Sequence, residues 1–268
     1  MIQNYHELSD RELEMFEKQT LRTIVQALQQ YSREAKDIFD NAMASSSNEV
    51  IVLAEDLVQY ALEVAEVFPM NKRFAGFIDY KRARWSPFVS GLMPQVLLVD
   101  AKASKENNRD TLQRSQLPMD AEFRKSDGSI GKLAAGVPGH LEIPSATSEP
   151  IYAVTTTILV HYYYKDNLTG MPPFRDLQSI YVLAVPHGRL KDRYNPDPDT
   201  TFFGEGKHSS ARNEDPRIRV YFSRLKKACP WRLQELKFLP GHDFSSPRWR
   251  EGESLEEEIL LPFSYLPR

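Results

Sequence analysis

Apolar residues recur at helical spacing from the start of the chain. Leu13, Phe16, Thr20, Ile24, Leu28, Tyr31, Ala35 and Phe39 form one stripe, Ser9 or Asp10 stands where an N-cap belongs, and Glu12 and Glu14 fall in the first turn. The pattern predicts one long amphipathic helix. Ser45-Ser-Ser-Asn48 breaks it, and Ile51, Ala54, Val58, Ala61 and Ala65 predict a second helix over Glu49 to Val67, stopping before Pro69. Residues 1–68 thus read as a helical hairpin, suited to a scaffold or a subunit interface.

The period then changes from helical to strand-like. Phe74 to Trp85 reads as a strand, Ser86-Pro87 and Gly91 as a turn, and Val96 to Val99 as a short buried strand carrying Asp100 and Lys102 at its end. Side chains two apart share a strand face, so Asp100 and Lys102 point one way and Val99 and Ala101 the other. Ser104 to Arg114 is polar, as a substrate-facing loop or helix start would be. Asp127 to Pro150 reads as irregular connection with room for a short hairpin. Ile151 to Tyr164 and Leu177 to Val185 are rich in Val, Ile, Thr and Tyr and should complete the sheet. Arg189 to Gly206 reads as loop, Arg217 to Phe222 as an alternating strand, and Leu225 to Leu239 as partly helical, interrupted at Pro230. Glu251 to Arg268 begins acidic and ends apolar. The fold class expected is α/β (α+β), a mixed central sheet flanked by helices.

Composition narrows the class. With 41% hydrophobic and 26% charged residues in 268, the chain is that of an ordinary globular protein, expected as one domain with insertions. Cys229 is the sole cysteine, which forbids an internal disulfide and a Cys-cluster metal site and suits a reducing cytoplasm. No apolar run is long enough to span a bilayer as a helix, and His161 interrupts the most lipophilic stretch. The formal net charge of −3 argues against coating nucleic acid by bulk electrostatics. Its distribution is uneven, however. Met1 to Phe68 holds 13 acidic and 5 basic residues, whereas Lys207 to Arg232 holds 8 basic and 2 acidic. Such a segment fits either a local anionic partner or a solvated basic face.

An acid, any residue and then lysine occurs five times, at Glu34, Asp79, Asp100, Glu205 and Glu235. Glu34 lies on a helix and Glu205 in a loop, and Glu235 has no second acid nearby. Asp79 and Asp100 end apolar strands, and only Asp100 has another strand carboxylate upstream, Asp79 itself. If the two strands pair, these carboxylates converge, which is how oxygen ligands for Mg²⁺ are assembled, with a backbone carbonyl such as that of Ala101 as a third. Lys102 could then hold water or phosphate during metal-assisted phosphodiester hydrolysis. The same residues also fit a buried ion pair with no catalytic role. Glu55 borders the apolar face of the second helix and, on spacing alone, is a solvated carboxylate.

Ile78-Asp79 followed by Val99-Asp100-Ala101-Lys102 resembles the core of the PD-(D/E)xK nucleases. A longer set of passages resembles the SfiI-type (type IIF) restriction endonucleases: Arg73 to Arg82, Asp100 to Ser104, Asn108 to Asp120, Arg193 to Asp199 and Arg217 to Phe222. Ile78 stands where the superfamily name has proline. The resemblance implies a restriction-endonuclease-like core over residues 69–125, with 150–268 supplying the rest of the sheet and the DNA-recognition elements. It also implies a Mg²⁺-dependent homotetramer, a dimer of dimers holding two double-stranded DNA sites. Each site is an interrupted palindrome of GGCC half-sites separated by five unspecified base pairs. By motif position Asp79 and Asp100 become metal ligands and Lys102 the catalytic lysine, and Glu55 takes the place of the helix glutamate of the related BglI-like arrangement.

Guanine presents O6 and N7 in the major groove, which arginine reads bidentately. Arg217 and Arg219 share one strand face, Lys207 approaches from the preceding loop, and Arg109 lies just beyond the active strand. These four are the expected DNA contacts, either to bases or to phosphates. His208 is expected to be a polar loop residue. Rival readings are a repair or junction nuclease of the same fold, a DNA-binding protein without catalysis, and, more remotely, a glycoside hydrolase using the same two carboxylates.

Overall fold

The computed structural model describes residues 5–42, 47–65, 69–76, 78–89, 91–105, 111–144, 149–170, 172–206, 217–238 and 249–252. Ser9 caps the first helix, α1 (Asp10–Gln30), with a reciprocal capping box. Its hydroxyl accepts from the Glu12 N–H at 3.3 Å, and the Glu12 carboxylate accepts from the Ser9 N–H at 2.9 Å. Ser9→Ala is expected to destabilise the protein by about 1 kcal/mol, read as a lower midpoint in thermal or urea unfolding. The long first helix expected from the sequence is broken at Tyr31, and α2 (Ser32–Asn41) follows. Tyr31 sits at ψ 18°, and the Ser32 hydroxyl donates to the Gln29 carbonyl at 2.7 Å, a side-chain bond that competes with the helix ladder. The second arm of the hairpin, α3 (Ser47–Ala65), lies close to where its periodicity placed it.

Along the chain follow β1 (Pro69–Arg73), β2 (Tyr80–Phe88), β3 (Gly91–Ser104), β4 (Thr111–Gln113), β5 (Ala121–Arg124), β6 (Ile130–Leu133), β7 (His140–Ile143), β8 (Ile151–Asn167) and β9 (Phe174–Val185). Then come α4 (Lys191–Tyr194), β10 (Phe203–Glu205), β11 (Arg217–Val220), α5 (Phe222–Ala228) and β12 (Leu233–Lys237). The main sheet has the order β1-β2-β3-β8-β9-β12, with β7 paired to the first residues of β8. Its central pair, β3 and β8, is parallel, and the other pairs are antiparallel.

Several boundaries differ from the expectation. Phe74 to Gly76 and Ile78 to Asp79 are connection, not strand, and Gly76 at φ +147° takes a conformation that L side chains rarely adopt. The buried strand at Val96 to Val99 is the middle of a 14-residue strand, so Asp100 and Lys102 lie within β3 and not at its tip. Leu233–Lys237 is an edge strand and not a helix. It pairs with Ser179–Leu183 of β9 once Pro230 has ended the helical run.

One face of the sheet buries the helices. Leu97, Val99 and Ala101 of β3 and Ile158, Val160 and Tyr162 of β8 pack with Ile24, Leu28, Phe39, Ala54 and Val58. Residues of opposite parity, including Leu159 and Leu183, pack on Leu112, Phe203, Ile218 and Val220 of a second, three-stranded sheet with the order β10-β11-β4. Asp100 and Lys102 therefore lie on the face of β3 that looks toward this small sheet.

Candidate active site

The β2–β3 ladder fixes the carboxylates of the site. Tyr80 pairs with Val99, so Asp79, one residue before β2, stands opposite Asp100. The Ala101 N–H donates to Asp79 Oδ2 at 2.7 Å and holds that carboxylate at the ladder's end. Asp100 is only 3% exposed. Lys102 Nζ lies 2.7 Å from its Oδ2, and the side-chain amide of Gln116 donates to its Oδ1.

Burial pushes the Asp100 carboxyl up to about 6, against the pull of the Lys102 ammonium and with the negative charge of Asp79 adding to the rise. Asp79 keeps solvent on one side, yet loss of water to the surrounding protein raises its pKa, an effect that the Ala101 N–H and Lys102 offset only in part. Glu55, half-buried on α3, is raised by its own desolvation and then by the charges of Asp79 and Asp100. Three carboxylates that oppose one another's ionisation, beside one ammonium, make a site short of positive charge, and a divalent cation would supply it. Among the described residues no three acidic, His or Cys side chains already stand at ligand spacing. The donor set therefore fits an ion that keeps water and takes few protein ligands, Asp79 and Asp100 with a backbone oxygen, and Glu55 set further back.

Two side chains that the sequence did not single out complete the buried surroundings. One is Gln116, on the turn that follows β4. The other is His161, opposite Lys102 in the β3–β8 register and bonded through Nε2 to the Ser104 hydroxyl at 2.7 Å. A histidine interrupting an apolar strand was a visible signal for His161, whereas nothing local marked Gln116.

The small sheet carries the two arginines expected from the sequence to meet DNA. Ile218 and Val220 are fully buried, so alternation sends Arg217 and Arg219 to the opposite face, where both are half-buried. Arg219 Nε is shielded from water and has no hydrogen-bond partner among the described residues. Gly204 pairs with Arg219, and Tyr221 covers that glycine: a Cβ there would be 2.2 Å from the ring. The Arg224 guanidinium stacks 4.5 Å from the same ring and donates to the Thr201 carbonyl at 3.0 Å. Lys207, His208 and Arg109 lie outside the described residues.

The family model for the type II restriction enzyme SfiI matches residues 32–236. The chain belongs to the SfiI family of type II restriction enzymes. It is 63% identical to the type II restriction enzyme SfiI of Streptomyces fimbriatus over 269 residues, covering all of both chains. Among solved structures, that of the tetrameric restriction endonuclease SfiI bound to cognate DNA matches with a TM-score of 0.90 and 62% identity, over 98% of this chain and 100% of the other. The structure of the restriction endonuclease BglI bound to its DNA recognition sequence matches at 0.65 and 15% identity, over 85% and 91%, which shows a shared fold. Membership in the SfiI family makes the chain a site-specific DNA endonuclease, and the restriction-endonuclease-like core expected from the sequence is the fold observed.

Proposed function

We propose that the chain acts as a homotetramer on two copies of GGCCNNNNNGGCC in double-stranded DNA and hydrolyses phosphodiester bonds in both with Mg²⁺, in the cytoplasm of a bacterium. The observation that carries this reading is the placement of Asp100 and Lys102 on the face of β3 that looks toward the arginine strand β11, with Asp79 held opposite Asp100 at the start of β2. The SfiI relative of known structure is tetrameric and bound to cognate DNA, which supports the assembly and the substrate.

Asp79 and Asp100, with the Ala101 carbonyl, are the groups that would hold Mg²⁺. When bound, the ion supplies positive charge at the phosphate and a water of lowered pKa. Lys102, drawn up on Asp100, presents its ammonium to a non-bridging phosphate oxygen and stabilises the charge that grows there as water attacks and the 3′ oxygen leaves. Glu55, close enough for the charges of Asp79 and Asp100 to raise its pKa, is the further carboxylate that would complete the site. Arg217 and Arg219, half-buried side by side on one face of β11, read guanine O6 and N7. Lys207 and Arg109 add contacts from the flanking segments.

Protons compete with the metal at this site. Asp100 binds its proton with a pKa of about 6, so it is ionised at pH 7.5 and mostly protonated at pH 5. Apparent Mn²⁺ affinity, measured by calorimetry on the free enzyme, is expected to fall about tenfold over that range. An affinity independent of pH would remove Asp100 from the ligand set. The assembly is tested by digesting plasmids that carry one or two sites. Faster cutting of the two-site plasmid, with both sites cut together, is expected, and equal rates would contradict a tetramer that engages two sites.

A further inference from the structure

The carboxylate site and the arginine strand are joined by a very short piece of chain. β4 is bonded to β11, with Gln113 opposite Arg217, Leu112 opposite Ile218 and Thr111 opposite Arg219. Directly after Gln113 the chain makes a single 3-10 turn, Arg114–Gln116, and the Gln116 amide donates to Asp100 Oδ1. Only two residues, Arg114 and Ser115, therefore separate the partner of Arg217 from the donor that orients the buried aspartate. The turn has little slack. The Leu117 N–H returns to the Arg114 carbonyl at 3.1 Å, and the Gly136 and Val137 N–H groups both donate to the Leu117 carbonyl, at 2.9 and 3.0 Å. Gly136 approaches so closely that a Cβ there would stand 2.1 Å from the Arg114 carbonyl oxygen. Leu112 and Leu117, on either side of the turn, are fully buried in the cluster that holds Ile218 and Val220.

We propose that Gln116 is a positioning residue that couples base reading by β11 to cleavage at Asp100, through the β11–β4 ladder and the turn that follows it. The proposal rests on the roles given above to Arg217, Arg219 and Asp100. Gln116 is itself buried, so its amide cannot exchange the carboxylate for bulk water at no cost. A neutral donor at the end of a clamped turn transmits position without adding charge to the site. When the arginines are seated on the cognate half-site, the ladder places the Gln116 amide so that Oδ1 is held and Oδ2 stays toward Lys102. A wrong base pair unseats the ladder, and the aspartate loses its orientation before the DNA is released.

The test is Gln116→Met, which keeps length and volume and removes the donor. Wild-type cleavage of the two-site plasmid is run alongside. Its failure would overturn the recognition reading, whereas the coupling is judged only on the variant. In EDTA the variant should bind cognate duplex within about twofold of wild type, while its single-turnover cleavage rate at saturating enzyme and its Mn²⁺ affinity each fall about 10–100-fold. The decisive readout is non-additivity. One changed base pair in a half-site slows the wild-type chemical step, and the same change should slow the variant by a smaller factor. Thermal unfolding checks the fold, and if the Met variant melts early, Gln116→Asn, which keeps the amide one methylene shorter, should show the same split in milder form. Equal losses in DNA affinity and rate, or a base-change penalty as large as in wild type, would overturn the proposal.

Discussion

Asp100→Asn is expected to abolish cleavage and at the same time to stabilise the fold. The loss of activity follows from removing a carboxylate proposed to hold the metal and to orient Lys102, and should exceed about 10³-fold in single-turnover rate. The gain in stability follows from the pKa. Asp100 titrates near 6 in the folded protein, above its ordinary value of 3.8, because burial disfavours the charged form more than Lys102 and Gln116 support it. The folded state therefore holds that proton more tightly than the unfolded chain does. Stability is full below about pH 4, declines as pH rises through 6, and at neutral pH is lower by about 2–3 kcal/mol than it would be without the charge. Asparagine removes the charge at nearly the same volume. In EDTA at pH 7.5 the midpoint of thermal unfolding should rise by about 3–6 °C. A fall in the midpoint would mean that the Asp100–Lys102 pair is a stabilising ion pair. The fold would then have no penalty of this kind at its active site.

Arg232→Met is expected to do the opposite, leaving the chemistry in place and weakening the fold by about 3–5 kcal/mol. Arg232 has no solvent exposure, and Glu17 on α1 is 1% exposed, with 2.7 Å between Nη2 and Oε2. The other Glu17 oxygen accepts from the His187 N–H at 2.8 Å, and the guanidinium packs 4.5 Å from the Tyr194 ring and 4.4 Å from that of Trp231. This pair ties α1 to the turn before β12 and to the segment after β9. Removing the arginine leaves a buried carboxylate without its cation, a far larger loss than that of an exposed ion pair. The unfolding midpoint should drop by about 5–10 °C. Arg232→Met combined with Glu17→Gln should recover most of that drop, because the stranded charge and not the missing contact dominates it. Equal midpoints for the single and double variants would assign the loss to packing alone.

How much of this could be read in the sequence depended on how local each feature is. β8 and β9 announced themselves through β-branched runs, and α3 through its apolar stripe. The break at Tyr31 depended on a serine hydroxyl taking a helix carbonyl, which periodicity does not register. Leu225 to Leu239 read as helical in part with a break at Pro230, and it is α-helical only up to Ala228. Pairing with β9, which no local pattern shows, makes Leu233–Lys237 a strand. Within the site, Asp79 and Asp100 were brought together on paper by assuming that neighbouring strands pair, and the Tyr80–Val99 register does so. Glu55 had no spacing argument, and its link to the aspartates is a matter of tertiary electrostatics. Gln116 was beyond reach. Its contact exists because β4 pairs with a strand about a hundred residues further along the chain, and no local pattern encodes that.

On the reading proposed above, Asp79, Asp100 and Lys102 cut DNA at the sequence that β11 reads. The most direct measurement is to digest random-sequence DNA with the wild-type enzyme and Mg²⁺, sequence every fragment end, and repeat with Asp100→Asn. The expected result is ends that all fall inside the five-base-pair spacer of GGCCNNNNNGGCC for the wild type, and none for the variant. Ends at other sequences, or cutting that survives in Asp100→Asn, would contradict it.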